Sequence, residues 1–575
     1  MRRWSEVADR VAATTKTSAK TDLLAAYLAG LDADELPIAA IFLTGRPFPE
    51  ADQRSVGIGW AGLAGAVRSV ADADEEALGR AYDRSSDIST AVREVLEASG
   101  RAVDPGGEPS LVEARDAFVA IEATSGPAAK GAILEALLGR CSPGTAAAIV
   151  KVLSGELRIG LREGLLEAAI AKAFDRPLDA VKRAGMLTGD VGRTAALARD
   201  DRLGEASIAP FHPLRFMLAS PAEDATEIMT RLGPTAWVED KYDGVRAQLH
   251  RSGDRVSLFS RDLNDVSGQF PEIVEAARSL PWAGILDGEV LAWRDGTVLP
   301  FLQLQARLGR KQPSARILAE VPVIFVAWDA LALDGGDGAR GGAREGDAST
   351  VRSLLDEPLT ERRRRLEALG LPLAADGGRF ALSHLVSVDS VERLEAAFTA
   401  ARARRNEGLM VKDPTSPYTP GRRGLGWLKM KKALATLDCV VVGVEVGHGK
   451  RHGVLSDYTF AVRDEATGAL VTIGKAYSGL TDAEIAGMTR WFEAHTIRSH
   501  GRYREVEPSM VIEVAFDVIM RSARHRSGFA LRFPRIARLR PDKPADEVDT
   551  LATVARLWEG LQHGPEHLVT ASARR

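Results

Sequence analysis

The spacing of apolar residues changes character along this chain, and that change restricts the fold more than any other feature. Up to about residue 205, segments such as SLVEARDAFVAIEATS and GTAAAIVKVLSGELRIGLREGLLEAAIAKAF repeat apolar residues at three- and four-residue steps, which predicts packed helices. The stretch from Ile208 to Pro221 then carries Pro210, Pro213 and Pro221 and favours extended chain. From Trp237 the pattern shortens to strand-like runs: WVEDKYDGVRAQLHR, RVSLFSR, GILDGEVLAWR and VPVIFVAWDALAL. Helices such as SVERLEAAFTAARARR lie among them, so this part reads as α+β. From about Leu437, DCVVVGVEVGH, SDYTFAVRD, ALVTIGKAY and SMVIEVAFDVIM, with one helix near TDAEIAGMTRWFEAH, suit a small OB-type β-barrel. ADEVDTLATVARLWEGLQ predicts a closing helix. The expectation is a multidomain α and α+β chain: 1–205 all helical, 206–432 α+β, and 433–575 an OB-fold barrel. Residues 334–350 are Gly-rich and read as a surface insertion without an assigned role.

A chain of 575 residues is too long for one core, which agrees with several domains. Its 45% apolar and 27% charged residues predict a soluble folded protein. Two cysteines, Cys141 and Cys439, exclude a disulfide framework and a four-thiolate zinc module, and a reducing cytosol is the expected compartment. The start MRRWSEVADRVAATT lacks an apolar core of signal-peptide type, and no run is long enough to cross a bilayer. Net charge is −4, which by itself argues against nucleic acid, but averages hide patches. Arg402 to Lys432 holds nine Lys/Arg against two acids, and Arg521 to Lys543 holds eight against one. Such blocks on a slightly acidic chain suggest grooves for phosphates.

Two apparent motifs fail on context. Gly57-Ile-Gly59-Trp-Ala-Gly62 matches the dinucleotide fingerprint, but GRPFPEADQRSV ahead of it reads as loop and helices surround it. A tight helix–helix contact is the better expectation for these glycines. His448 and His452 in GHGKRHG lack the ordered spacing of metal ligands, and neither GxxxxGK[ST] nor HExxH occurs.

The chemistry-bearing stretch is Glu239-Asp-Lys241-Tyr-Asp243-Gly244-Val-Arg246. Alone, K-x-D-G is weak. Its company is specific: Ser260-Arg261, Leu286-Asp-Gly-Glu289, Trp328-Asp-Ala-Leu-Ala-Leu-Asp-Gly335, Glu407-Gly-Leu-Met-Val-Lys412, Trp427-Leu-Lys429-Met-Lys431, and Leu531-Arg532-Phe533-Pro-Arg535 with Arg540-Pro-Asp-Lys543. This ordered set resembles the covalent nucleotidyltransferases, and among them the ATP-dependent DNA ligases that carry a helical N-terminal DNA-binding domain, over nearly the whole chain.

The resemblance implies that Lys241 attacks the α-phosphorus of ATP and carries AMP. The amine must be neutral when it attacks, which nearby cations favour. Arg246, Arg261, Lys429, Lys431 and Mg²⁺ or another divalent cation would supply that charge and also neutralise the phosphates. Glu289 and Glu407 are the implied metal carboxylates. Glu239 and the ring of Trp328 would hold adenine, with Phe325 as a competing ring, and Arg423 is a further implied nucleotide contact. Arg532, Phe533, Arg535 and Lys543 form the C-terminal motif, in which Phe533 would wedge against the minor groove of nicked duplex DNA; a core Phe is the alternative. Asp243 would assist the last step, attack by the 3′-hydroxyl. The expected species is a monomer without a membrane partner. An RNA ligase and a GTP-using capping enzyme share the lysine chemistry but usually lack the helical domain, and a catalytically dead DNA clamp would have lost some of these residues. All of them are present here.

Overall fold

The computed structural model describes residues 1–563 apart from 53, 86, 105, 156, 158, 162, 223, 335–350, 405, 431–434, 448–450 and 452. The chain divides into two compact units. One comprises Met1–Ser220, Asp243–His384 and Asp413–Trp427; the other comprises Pro221–Tyr242, Leu385–Lys412 and Leu428–Arg575.

The first unit begins with α-helices only, from Arg2–Ala13 to Val191–Arg199, and among the described residues no strand precedes Leu218. Helix starts follow local chemistry. Ser110 and Glu113 form a reciprocal capping box ahead of Leu111–Ala123, and Ser142 caps Pro143–Ser154, whose first residue is a proline with no N–H to lose. Trp4 meets Phe42 edge-on and Phe42 meets Phe118 at a tilt, and Ala, Leu, Ile and Val fill most of the remaining core. Of the glycines in Gly57–Gly62, Gly57 lies against Lys130 of helix Pro127–Gly139, where a Cβ would meet the Lys130 Nζ at 3.2 Å. Gly59 is the N-cap of helix Trp60–Ala71, and a Cβ there would meet nothing within 4 Å.

The same unit holds a sheet whose strands run in the order Arg255–Ser260, Val245–Ser252, Gly284–Arg294, Val323–Asp334 and Val351–Ser353. Its apolar residues, Phe325 among them, pack with Phe270, Ile273, Phe380 and Leu366. Of the Gly-rich segment 334–350, all but Asp334 lies outside the described residues, as do His448 and His452.

The proline-rich connector is stitched to this sheet. Leu214 exchanges two hydrogen bonds with the Gln248 amide, donating its N–H at 3.0 Å and accepting at 2.6 Å. Phe211 N–H donates to Nδ1 of His250 at 2.9 Å, so the proton of the neutral ring sits on Nε2, facing Gln248 Oε1 at 3.1 Å. Burial, helped by the charges of His212 and Arg255, pushes the His250 pKa down to about 3. The unfolded chain takes up this proton below its ordinary value of 6.5, whereas the folded chain does so only near 3. Stability is therefore lost as pH falls through that window, by up to about 1.4 kcal/mol per pH unit. Thermal melts from pH 7 to 5 should show a shallower decline for His250→Gln than for the wild type; equal slopes would remove His250 from the account.

The second unit contains a sheet ordered Leu218–Ala222, Arg423–Met430, Gly408–Lys412, Ala236–Lys241 and Leu385–Val388, whose first two strands carry the chain across from the first unit. Helices Ala225–Leu232 and Val391–Ala403 cover one face through Ile228, Leu394, Phe398 and Ala401. The barrel follows, built on the long strand Ala435–Val446, which pairs with Leu455–Arg463, Tyr503–Val506 and Val511–Phe516. Helix Asp482–Ala494 packs against its core. Strands Thr496–His500, Phe529–Arg532 and Arg535–Leu539 were not expected from the apolar pattern, because their outward residues are mostly Arg, Ser and His. The closing helix starts at Leu551, later than expected, after a 3₁₀ turn at Ala545–Glu547.

Candidate active site

WVEDKYDGVRAQLHR reads as one strand but is two, Ala236–Lys241 and Val245–Ser252, in different sheets and different units. The break falls at Tyr242–Gly244. A Cβ at Gly244 would collide with the carbonyl oxygen of Val290, and one at Gly288 with that of Val326, so the glycine of each motif is demanded by close backbone approach.

In the second unit, Lys241 ends its strand with its ammonium paired to Glu407, and both side chains are largely buried. The Glu407 N–H donates to the Lys241 carbonyl at 2.8 Å. Two residues earlier, Glu239 is 2% exposed and its carboxylate accepts from Lys412 Nζ at 2.5 Å. Lys412, itself 1% exposed, closes the Glu407-to-Lys412 motif, and the sequence reading left it without a role. On the opposite face of the strand, Asp240 accepts a bidentate pair from Arg404. Its hydrogen bonds hold the Arg404 pKa above the ordinary value. Arg402 is half-buried and donates to the carbonyls of Asn406 and Glu407; burial lowers its pKa, partly opposed by Asp517 and Glu407. Lys429 is half-buried on strand Arg423–Met430, and Lys431 lies outside the described residues.

In the first unit, Arg246 and Glu289 face each other across adjacent strands. Arg246 is nonetheless held by Asp287, through Nε at 3.2 Å and Nη2 at 2.7 Å, while Nη1 donates to the Met217 carbonyl. Tyr418 donates its hydroxyl to the same Asp287 at 2.8 Å. Burial is the largest influence on the Arg246 pKa and would lower it, but the charge and hydrogen bonds of Asp287, together with Tyr418 and Glu289, outweigh it and the net shift is upward. Burial and Asp287 both raise that of Tyr418. Asp287 lies inside a motif the sequence displayed, yet only its neighbour Glu289 was assigned. Glu289 accepts from the Gly244 N–H at 3.1 Å.

Trp328 is set apart by a β-bulge. Asp287 pairs with Asp329 and Gly288 with Ala327, leaving Trp328 as the extra residue of its strand. The bulge leaves the indole partly exposed, 5.4 Å below the Arg246 guanidinium. Phe325, the competing ring, is wholly buried against Phe380 and belongs to the core. Arg261, in the turn after Arg255–Ser260, and Arg423 are both exposed.

In the barrel, Phe533 has 59% of its surface in water and a φ of 52°, so the core alternative does not hold. The Arg532 guanidinium lies 4.8 Å from its ring, and Arg535 is exposed, 3.8 Å from Asp517. Lys543 instead turns inward and shares Asp438 with Arg540, at 2.7 and 2.9 Å. Among the described residues no three His, Cys, Asp or Glu side chains gather to cage a metal. Glu289 in the first unit and Glu407 in the second each offer hard carboxylate oxygens, the donors suited to a cation that keeps most of its waters.

Comparison with known proteins gives three family matches in order: "DNA ligase N terminus" over residues 1–171, "ATP dependent DNA ligase domain" over 216–431, and "ATP dependent DNA ligase C terminal region" over 451–543. A probable DNA ligase of Koribacter versatilis is 44% identical over 97% of this chain and 96% of its own length. One of Opitutus terrae is 45% identical over 96% of this chain, which spans 62% of that longer relative. A solved structure named Pmar-Lig_PreS3 superposes with a TM-score of 0.58 at 17% identity, covering 93% of this chain and 99% of its own, a likeness of fold.

Proposed function

Because the chain belongs to the ATP-dependent DNA ligase family, we propose that it seals nicks in duplex DNA through a Lys241–AMP adduct. The observation that carries the reading is Lys241 at a strand end, sheltered and facing Glu407, within the region matched to the ATP-dependent ligase domain.

In the first step Lys241 Nζ forms a P–N bond to the α-phosphorus of ATP, and pyrophosphate leaves with the electrons of the broken P–O bond. In the second an oxygen of the nick's 5′-phosphate attacks the same phosphorus, the P–N bond breaks and the amine is regenerated. In the third the 3′-hydroxyl attacks the 5′-phosphorus, AMP departs, and Asp243 assists removal of the hydroxyl proton. Glu239 and Trp328 hold adenine, and Arg261, Arg423, Lys429 and Lys431 hold phosphate and ribose oxygens. Arg246, fixed by Asp287, presents its charge in one orientation. Glu289 and Glu407 would hold a divalent cation, which would supply charge neutralisation at the phosphates.

Contacts from Arg532, Arg535 and the basic barrel surface go mainly to phosphates, so DNA binding falls steeply with salt and is indifferent to sequence. Lys543 acts through Asp438 and Arg540, bracing the strand that follows Phe533. Phe533→Ala should leave the melting point almost unchanged, within about 0.5 kcal/mol, as for other exposed positions. Its affinity for nicked duplex should fall about tenfold, the loss of roughly 1.4 kcal/mol of minor-groove contact. An unchanged affinity would remove the wedge.

The direct test is incubation with α-labelled ATP and Mg²⁺, with α-labelled GTP in parallel. Covalent label is expected from ATP alone, with pyrophosphate released and the label discharged by nicked duplex. Label from GTP but not ATP would point to a capping enzyme, and discharge by RNA but not DNA nicks to an RNA ligase.

A further inference from the structure

We infer that Asp240 is a positioning residue: it fixes the turn that places Glu407 beside Lys241. The inference rests on the proposed adenylylation at Lys241. Successive strand residues point to opposite faces. Val238, two residues from Asp240, is packed in the apolar core with Leu394, Phe398 and Ala401 of helix Val391–Ala403. Asp240 shares that side of the strand, whereas Glu239 and Lys241 face the other way, so Asp240 stands behind the chemistry rather than in it.

There it is 4% exposed, and a carboxylate so placed must be paired. Arg404 Nε and Nη2 donate to it at 2.7 and 2.6 Å, and the Asn406 amide donates to Oδ2 at 3.0 Å. Both donors belong to the turn between helix Val391–Ala403 and strand Gly408–Lys412. Arg402 holds the same turn from behind, donating at 3.3 Å to the carbonyls of Asn406 and Glu407, and the Lys241 carbonyl takes the Glu407 N–H. The turn is therefore fixed from three directions, and its last residue is the carboxylate paired with Lys241. Arg404 grips the Asp240 carboxylate in the bidentate fork described above. A planar guanidinium fork sets orientation as well as distance. Loss of such an outer partner commonly costs about 10- to 100-fold in the function of the group it supports.

A purely structural ion pair would lower stability without regard to Glu407, and a double-mutant cycle separates the two roles. Single-turnover self-adenylylation and melting point are measured for the full chain, D240N, E407Q and D240N/E407Q, with K241A as a control. In parallel, the rate at which trinitrobenzenesulfonate modifies Lys241, read by peptide mapping, reports exposure of the amine without needing activity. D240N is expected to slow adenylylation about 10- to 100-fold and to speed modification of Lys241. In the E407Q background D240N should add little to either readout. R404K, which keeps the charge but loses the fork, should fall between wild type and D240N and serves if D240N does not fold. Equal effects of D240N in both backgrounds, or wild-type rates for D240N and R404K, would overturn the inference. Label on K241A would instead overturn the adenylylation reading itself.

Discussion

Lys241→Arg is expected to lose self-adenylylation by at least about 10⁴-fold, the scale seen when a catalytic nucleophile is removed, while melting at the temperature of the parent. The two halves of that result have separate causes. Arginine keeps the positive charge and can still pair with Glu407, so the largely buried carboxylate keeps a partner and the fold is not penalised. A guanidinium does not give up its proton in a protein, so no lone pair is available to attack phosphorus. In the proposed scheme the last chemical step does not use the amine. A duplex supplied with its 5′-phosphate already adenylylated should therefore be sealed by Lys241→Arg at a measurable rate when ATP is absent. Gel analysis of label transfer and of pre-adenylylated nicks checks both halves. Normal labelling of the variant would move the nucleophile to another residue.

Lys412→Met should be the most destabilising single change near the site. Glu239 and Lys412 bury each other almost completely, and removing the ammonium takes the paired cation from a carboxylate held away from water. Breaking a pair of this kind costs about 3–5 kcal/mol. Restoring electrical balance with Glu239→Gln in the same chain should recover most of the melting point, because two neutral side chains of similar volume need no counter-charge. It should not recover activity if Glu239 reads the adenine edge, since an amide presents a donor where the carboxylate offers only acceptors. Melting curves and ATP KM values for the two single variants and the double variant test this. A double variant as unstable as Lys412→Met alone would show that charge balance is not what the pair contributes.

The sequence announced the order of helical, α+β and barrel regions because each has its own apolar period. It also displayed the motif carriers Lys241, Arg246, Glu289 and Glu407. Periodicity could not reveal where WVEDKYDGVRAQLHR breaks, since both halves are strands and only the contact of Gly244 with a neighbouring backbone forces the division. Nor could it choose between Phe325 and Trp328. Three residues apart in a regular strand they would point to opposite faces, and the bulge at Trp328 is set by pairing with a strand some forty residues earlier. The supporting residues were missed for one reason. Asp240, Asp287, Lys412 and Tyr418 act through partners distant in the chain, such as Asp240 with Arg404 or Tyr418 with Asp287, and a linear pattern does not display such pairs. Asp287 and Lys412 stood inside motifs already in view. A buried acid or base next to an assigned residue was the available signal.

The anchoring of Phe211 and Leu214 onto Gln248 and His250 sets a limit on reach. Backbone so fastened has no slack to give. Between that anchorage and the last helix of the helical region lie only the residues from Arg202 to Ser207, which would span roughly 20 Å at full stretch. The length of connector not fastened to the sheet is thus shorter than the proline-rich stretch of sequence suggests.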